Sequence, residues 1–332
     1  MNVTKHVKLL KNDVRIACQM YENTKLDRVH NRNNTDGDNT KQSFPIVILR
    51  GFGMTKEDSH SFASVLCEKY GHQIITVDNR GTGESDKPPD VRDGQTTFGL
   101  KDMAMDCIHL LEELELPKFN LFGASMGGYI SQHIALIKPS CIHKLILACT
   151  HYGGPKCHPP TKRYEKLVSA AVPSPTEQMD EWNEYHKRLF SINFHHNFLQ
   201  TDKFHHLLEN FKNVQKTQVL RGKTAQRQAI KEFIEVGLEC ELMDRFEIDN
   251  DFGVNTLIMS GDSDNVVPVE NSFLLRKCFP GSCMTIVENA GHMFWEERTE
   301  DVAKDINKFI FRKIVEYEPG MKVYSEYDSY VY

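Results

Sequence analysis

The chain has 332 residues, enough for one large α/β domain or for a domain carrying a sizeable insertion, with a substantial buried core. A formal charge of −6, with basic residues scattered among acidic ones, leaves no basic stripe for a nucleic acid backbone and excludes that class of partner. Nine cysteines, an odd number with no C-x-x-C pair, read as small buried hydrophobes in a reducing, cytoplasmic setting rather than as a disulfide framework. No stretch approaches the roughly 20 apolar residues of a membrane span, and Met1 to Lys11 has no signal-like apolar region.

In chain order, Val7 to Leu10 and Val14 to Met20 are short apolar runs split by Lys11-Asn12-Asp13, which predicts a hairpin. Asn23 to Ser43 is polar and without periodicity, and reads as an exposed loop. From Pro45 onward short apolar runs alternate with helical patterns. The runs are Ile46 to Leu49, Ile74 to Val77, Phe119 to Phe122, Leu145 to Ala148, Leu257 to Met259 and Met284 to Val287, and they suit parallel strands covered on both faces. Between them Leu100, Met103, Ala104, Cys107, Leu110, Leu111 and Leu114 recur at helical spacing, as do Tyr129, Ile130, Ile134 and Ile137 before Pro139. This alternation predicts an α/β fold with a doubly wound, mostly parallel sheet.

The alternation stops after Thr150 and resumes near Val254, and the intervening residues read as a helical insertion over the sheet, rich in aromatics such as Trp182, Phe190 and Phe194. The expected division is a core in 1–152 and 251–332 with a helical unit in 153–250 between its halves. Val302, Ile306, Phe309, Ile310 and Ile314 predict an amphipathic closing helix, followed by a polar tail from Glu316.

Chemistry concentrates at Gly123-Ala124-Ser125-Met126-Gly127, which follows an apolar strand and opens an amphipathic helix. That is the setting of a nucleophile elbow, where small residues permit a strained turn and a helix N-terminus favours developing negative charge. Serine is a poor nucleophile at neutral pH and needs a base, itself oriented by a third group. Two other strand ends supply candidates: Asp262 and Asp264 after Leu257 to Met259, and His292 after Met284 to Val287. All would project from the same carboxyl edge of the sheet, in the chain order serine, acid, histidine. The histidine pairs 195–196 and 205–206 lack the spacing and companions of a zinc site, and Gly51-Phe52-Gly53 lacks the third glycine of a dinucleotide loop. Asp78 to Ser85 reads as a structural turn, its polar side chains satisfying buried backbone.

Five stretches together, Gly51 to Gly53, Asp78 to Ser85, Gly123 to Gly128, Gly261 to Pro268 and Gly291-His292, resemble the α/β-hydrolase superfamily over about Pro45 to Val315. The resemblance implies Ser125 as nucleophile, His292 as base and Asp264 as its acid, three residues after Gly261 and four before Pro268. It also implies that the Phe52 and Met126 amides form an oxyanion hole and that the helical insertion is a cap. Arg50-Gly51 departs from the His-Gly that many members carry at that place. A serine at the elbow implies acyl transfer to water, and argues against the epoxide hydrolase and haloalkane dehalogenase branches, which use aspartate there. The expected activity is hydrolysis of a small carboxylic ester or related acyl substrate, without metal or organic cofactor. Two alternatives remain open: the same triad opening a lactone or cleaving a carbon-carbon bond, and a receptor that kept the fold without turnover. Trp182, Phe190 and Phe194 are the candidate substrate contacts from the cap.

Overall fold

In the computed structural model the described residues are 2–9, 11, 13–22, 44–87, 98–174, 176–217, 220–248 and 255–312. The polar stretch from Asn23 to Ser43 and the tail from Glu316 lie outside them.

Eight strands form one sheet: β1 (Asn2–Lys8), β2 (Arg15–Tyr21), β3 (Ile46–Leu49), β4 (Ile74–Val77), β5 (Phe119–Ala124), β6 (Ile142–Ala148), β7 (Thr256–Gly261) and β8 (Cys283–Val287), in the order β1-β2-β4-β3-β5-β6-β7-β8. β1 and β2 form the predicted hairpin, closed where Asp13 turns to φ 56° and its N–H donates to Leu9 O at 3.0 Å. β2 runs antiparallel to β4, and β4, β3, β5, β6, β7 and β8 run parallel.

Successive strand residues point to opposite faces, and the core divides accordingly. Val47, Leu49, Leu121, Leu145 and Leu147 meet the helices α2 (Leu100–Glu113) and α3 (Met126–Ile137) on one face. Ile46, Ile48, Phe122, Ile146 and Leu257 meet α1 (His60–Tyr70) and the closing helix, Thr299–Ile310, on the other. Both faces being buried explains why these strands read as continuous apolar runs rather than as alternating ones.

Among the described residues the α-helices between β6 and β7 are α4 (Lys162–Val168), α5 (Met179–Ser191), α6 (Asp202–Thr217), α7 (Leu220–Val236) and α8 (Glu239–Ile248). Their apolar residues divide between the two cores. Ala229, Phe233, Leu238 and Leu242 join the α2/α3 side, while Phe190, Phe194, Phe204 and Phe211 join the other. After β7 the described residues add α9 (Glu270–Cys278), α10 (Phe294–Glu297) and α11 (Thr299–Ile310). Among the described residues no helix is long and apolar enough to cross a membrane.

The turn from Asp78 to Ser85 is a structural clamp. The Asp78 carboxylate accepts the N–H groups of Lys56 (2.7 Å) and Glu84 (2.8 Å), and the fully buried Lys56 ammonium at 3.1 Å. Arg80 forms a bidentate pair with Asp106 on α2 at 2.7 and 2.5 Å. These bonds hold the loop after β4 against the segment after β3.

Gly127 sits where α3 crosses the end of β3. A Cβ there would lie 2.0 Å from the carbonyl oxygen of Leu49, a main-chain atom of a central strand. Gly127→Ala is therefore expected to destabilise the fold by about 3 kcal/mol or more, since backbone on both sides must move. Urea unfolding monitored by circular dichroism measures it, and a loss below about 1 kcal/mol would show that strand and helix separate readily.

Candidate active site

Three strand ends meet at the carboxyl edge of the sheet. Ser125, between β5 and α3, adopts φ 55° and ψ −120°, a conformation that costs a non-glycine residue on the order of 1–3 kcal/mol. The neighbouring strand holds it there. Ser125 N–H donates to Ala148 O at 3.0 Å, and Thr150 Oγ1 donates to Ser125 O at 3.0 Å. Facing it is Gly51, whose substitution by any larger residue would bring a Cβ within 3.2 Å of Ser125 Cβ. The turn thus lifts the hydroxyl out of the sheet edge while its backbone is tied on both sides.

The loop after β7 delivers Asp264 and the loop after β8 delivers His292. His292 Nδ1 donates to Asp264 Oδ2 at 2.7 Å, and both residues are buried. The other oxygen, Asp264 Oδ1, accepts the N–H groups of Val266 (2.7 Å) and Val267 (2.9 Å), which fixes the orientation of the carboxyl group toward the ring. Burial opposes charge on the His292 ring, but the adjacent Asp264 carboxylate, together with the Cys149 sulfur, raises the ring's pKa well above the usual 6.5. Asp262, the other acid of the loop, is exposed and serves the backbone: its carboxylate accepts Asn289 N–H at 3.0 Å and Ala290 N–H at 3.3 Å. Glu297 adds a second brace, accepting Gly291 N–H at 2.7 Å and His195 N–H at 3.1 Å, and its burial raises its pKa to about 7.

Ser125 and His292 border one cavity of about 280 Å³. No direct hydrogen bond joins the two side chains among the described residues. Met126 is the first residue of α3, where amides have no intrahelical acceptor, and it follows Ser125, which borders the cavity together with the Gly51-Phe52-Gly53 loop. Gly53 N–H is taken by Gln226 Oε1 at 3.1 Å and Met54 N–H by Gly51 O at 3.2 Å, whereas the Phe52 amide has no acceptor among the described residues. Two donors at such positions suit an anionic oxygen beside Ser125.

The expectation for the cap aromatics needs correction. Phe190 borders the cavity, but Trp182 and Phe194 do not. Trp182 packs on His186, ring centres 4.0 Å apart, and Phe194 packs among Phe190, Phe198 and Phe204. They are core residues of the helical insertion, because three or four aromatic faces on adjacent helices bury more area against each other than against an open cleft. Tyr164, Tyr185, Lys223 and Arg227 stand in the wall instead, and no periodicity distinguished them in the sequence.

Two further residues were not anticipated. Cys149, at the end of β6 with φ 42°, places its thiol within 4.8 Å of the ligand atoms of Asp264 and His292. Burial raises its pKa, against the opposing field of His292. Arg50 is fully buried beneath the cavity, its guanidinium 4.7 Å over the Trp295 ring and Nη2 donating to Asp58 O at 3.4 Å. Burial lowers its pKa, against the opposing fields of Glu296 and Asp58.

Comparison with known proteins agrees with this architecture. A family described as the alpha/beta hydrolase fold matches residues 45–299. The sn-1-specific diacylglycerol lipase ABHD11 of Danio rerio is 32% identical over 110 residues, 33% of this chain and 32% of the lipase, so the matched stretch spans about a third of that relative's length. The lipase of the same name from Xenopus laevis is 22% identical over 277 residues, covering 80% of this chain and 79% of its own. Among solved structures, a thermophilic esterase from Thermogutta terrifontis superposes with a TM-score of 0.67 at 18% identity, over 93% of this chain and 98% of that one. With the family matched across the whole span from β3 to the start of the closing helix, this chain belongs to the α/β-hydrolase fold family.

Proposed function

We propose that the protein is a serine hydrolase acting on a small carboxylic ester through an acyl-enzyme. Ser125 Oγ attacks the carbonyl carbon, and His292 Nε2 takes the hydroxyl proton while its Nδ1–H stays bonded to Asp264. The oxyanion is held by the Phe52 and Met126 amides, donors already in place before charge develops. His292 returns the proton to the leaving alcohol. Water, deprotonated by the same ring, then attacks the acyl-enzyme, and carboxylic acid leaves with Ser125 restored. Residues 153–250 act as the cap, with Phe190, Tyr164 and Tyr185 excluding water from the acyl group. The core is formed by 1–152 and 251–332.

The observation that carries this reading is a positive-φ serine on a strand-to-helix turn, bordering the same cavity as a buried histidine hydrogen-bonded to a buried aspartate. A fluorophosphonate is expected to label Ser125 and no other serine, as read by peptide mass spectrometry. Labelling rate should rise with pH as the ring loses its proton, because only neutral imidazole accepts one. Since Asp264 raises the His292 pKa, the half-maximal point is expected above pH 6.5. Labelling at a different serine, or a rate independent of pH between 5 and 9, contradicts the assignment.

A further inference from the structure

We propose that the substrate of this cavity carries a second, anionic group, a carboxylate or phosphate, held by Lys223 and Arg227 of α7. The inference rests on the serine hydrolase reading above and names the class of ester.

Helix α7 is locked to the core along one stripe. Gly222 packs directly on Gly81, so closely that a Cβ would lie 1.9 Å from Gly81 O. Gln226, four residues on, accepts Gly53 N–H at 3.1 Å and donates to Arg80 O at 2.9 Å. Ala229 and Phe233 continue into the apolar core. With that stripe fixed, the next residues round the helix, Lys223 and Arg227, stand one turn apart on a shared face and both border the cavity. Lys223 Cε lies 3.8 Å from where a Gly53 Cβ would be, and the Arg227 guanidinium stands 5.6 Å over the Phe52 ring.

The wall's charge is one-sided. Among the described residues it contains Arg50, Lys223 and Arg227 and no aspartate or glutamate, in a chain whose acidic residues outnumber its basic ones, 46 to 40. Arg50 is offset by Asp58 and Glu296 nearby. Lys223 donates to the neutral amide of Gln215, and Arg227 has only the Phe52 ring, so neither has a carboxylate partner among the described residues. Like charges one helical turn apart repel, and burying one of them adds to the cost. Lys223 reflects both, its pKa lowered to about 8 by burial and by Arg227. An anion between the two side chains removes both penalties, and Tyr164 and Tyr185, which also lie in the field of Arg227, offer further donors.

Geometry sets the spacing. Gly51 abuts Ser125 and Gly53 abuts Lys223, and two residues of chain span at most about 7 Å. The scissile carbonyl and the anionic group therefore meet opposite ends of one three-residue loop, and a five-carbon diacid monoester is the probe chosen for that separation.

The test compares mono-4-nitrophenyl glutarate with its neutral counterpart, 4-nitrophenyl pentanoate. The wild-type protein is expected to favour the glutarate ester by about tenfold or more in kcat/KM, chiefly through KM, with the preference falling as salt is raised. Lys223→Gln and Arg227→Gln should each reduce the ratio, and the double variant should bring it near one. Both side chains are partly exposed, and either single variant suffices should the other fail to fold. A wild-type ratio of one or less, or a ratio unchanged in the double variant, overturns the proposal while leaving Ser125 chemistry intact so long as the neutral ester is cleaved. If neither ester is cleaved, the hydrolase reading itself fails, and calorimetry with glutarate and with inorganic phosphate decides the anion site. Binding of either that is lost in the double variant supports the site and tells the two chemistries apart; absence of binding by both removes it.

Discussion

Ser125→Ala is expected to lower kcat by about 10⁵ to 10⁶, the loss seen when the nucleophile of a serine, histidine and acid unit is removed. The residual rate would come from the oxyanion donors and the cavity, which the substitution leaves in place. The fold should persist. Removing one partly exposed hydroxyl takes away little packing, and the backbone bonds to Ala148 and Thr150 do not involve the side chain. Alanine must still adopt φ 55°, so a small loss of stability, on the order of 1 kcal/mol, is compatible with an intact site. Burst kinetics with an activated ester, alongside circular dichroism, separate the two effects. A folded Ser125→Ala protein hydrolysing at the wild-type rate would falsify the mechanism.

Asp264→Asn is expected to cost about 10⁴ in kcat, while Asp262→Asn costs less than about tenfold. An amide at 264 can present its NH₂ to His292 Nδ1, which then accepts, leaving the proton on the nitrogen that must receive one from Ser125. The carboxylate of Asp264 is also the charge that raises the ring's pKa, so the acid limb of the pH profile should move to lower pH in this variant. Asp262 instead braces Asn289 and Ala290, and its loss loosens the His292 loop without altering the tautomer. The pair of variants, assayed for kcat across pH 5 to 9, therefore distinguishes an orienting charge from a loop brace. Equal losses in both, with an unshifted profile, would remove Asp264 from its assigned role.

The sequence by itself determined the layered architecture. Continuous apolar runs such as Ile46 to Leu49 and the 3.6-residue spacing from Leu100 to Leu111 are local patterns, imposed by burial on both sheet faces and on one helix face. The elbow was legible for a related reason: Gly127 answers to close approach of the β3 backbone, Gly123 to Ser131 and the Gly127 main chain, and Gly128 to the Thr150 side chain, and such contacts admit few other residues. Only tertiary structure decided what faces the cavity. Trp182, Phe190 and Phe194 are equally apolar and equally buried, yet Phe190 alone borders the cleft, because aromatic spacing reports that a side is covered without saying by what. Lys223 and Arg227 carry no motif or spacing that singles them out in the sequence. Their place beside Phe52 and Gly53 follows from the contact of Gly222 with Gly81 and of Gln226 with Gly53, contacts between segments far apart in the chain that no local period encodes. Cys149 beside His292 is a third case, set by the meeting of β6 and the loop after β8 at one sheet edge rather than by any pattern in the residues around it.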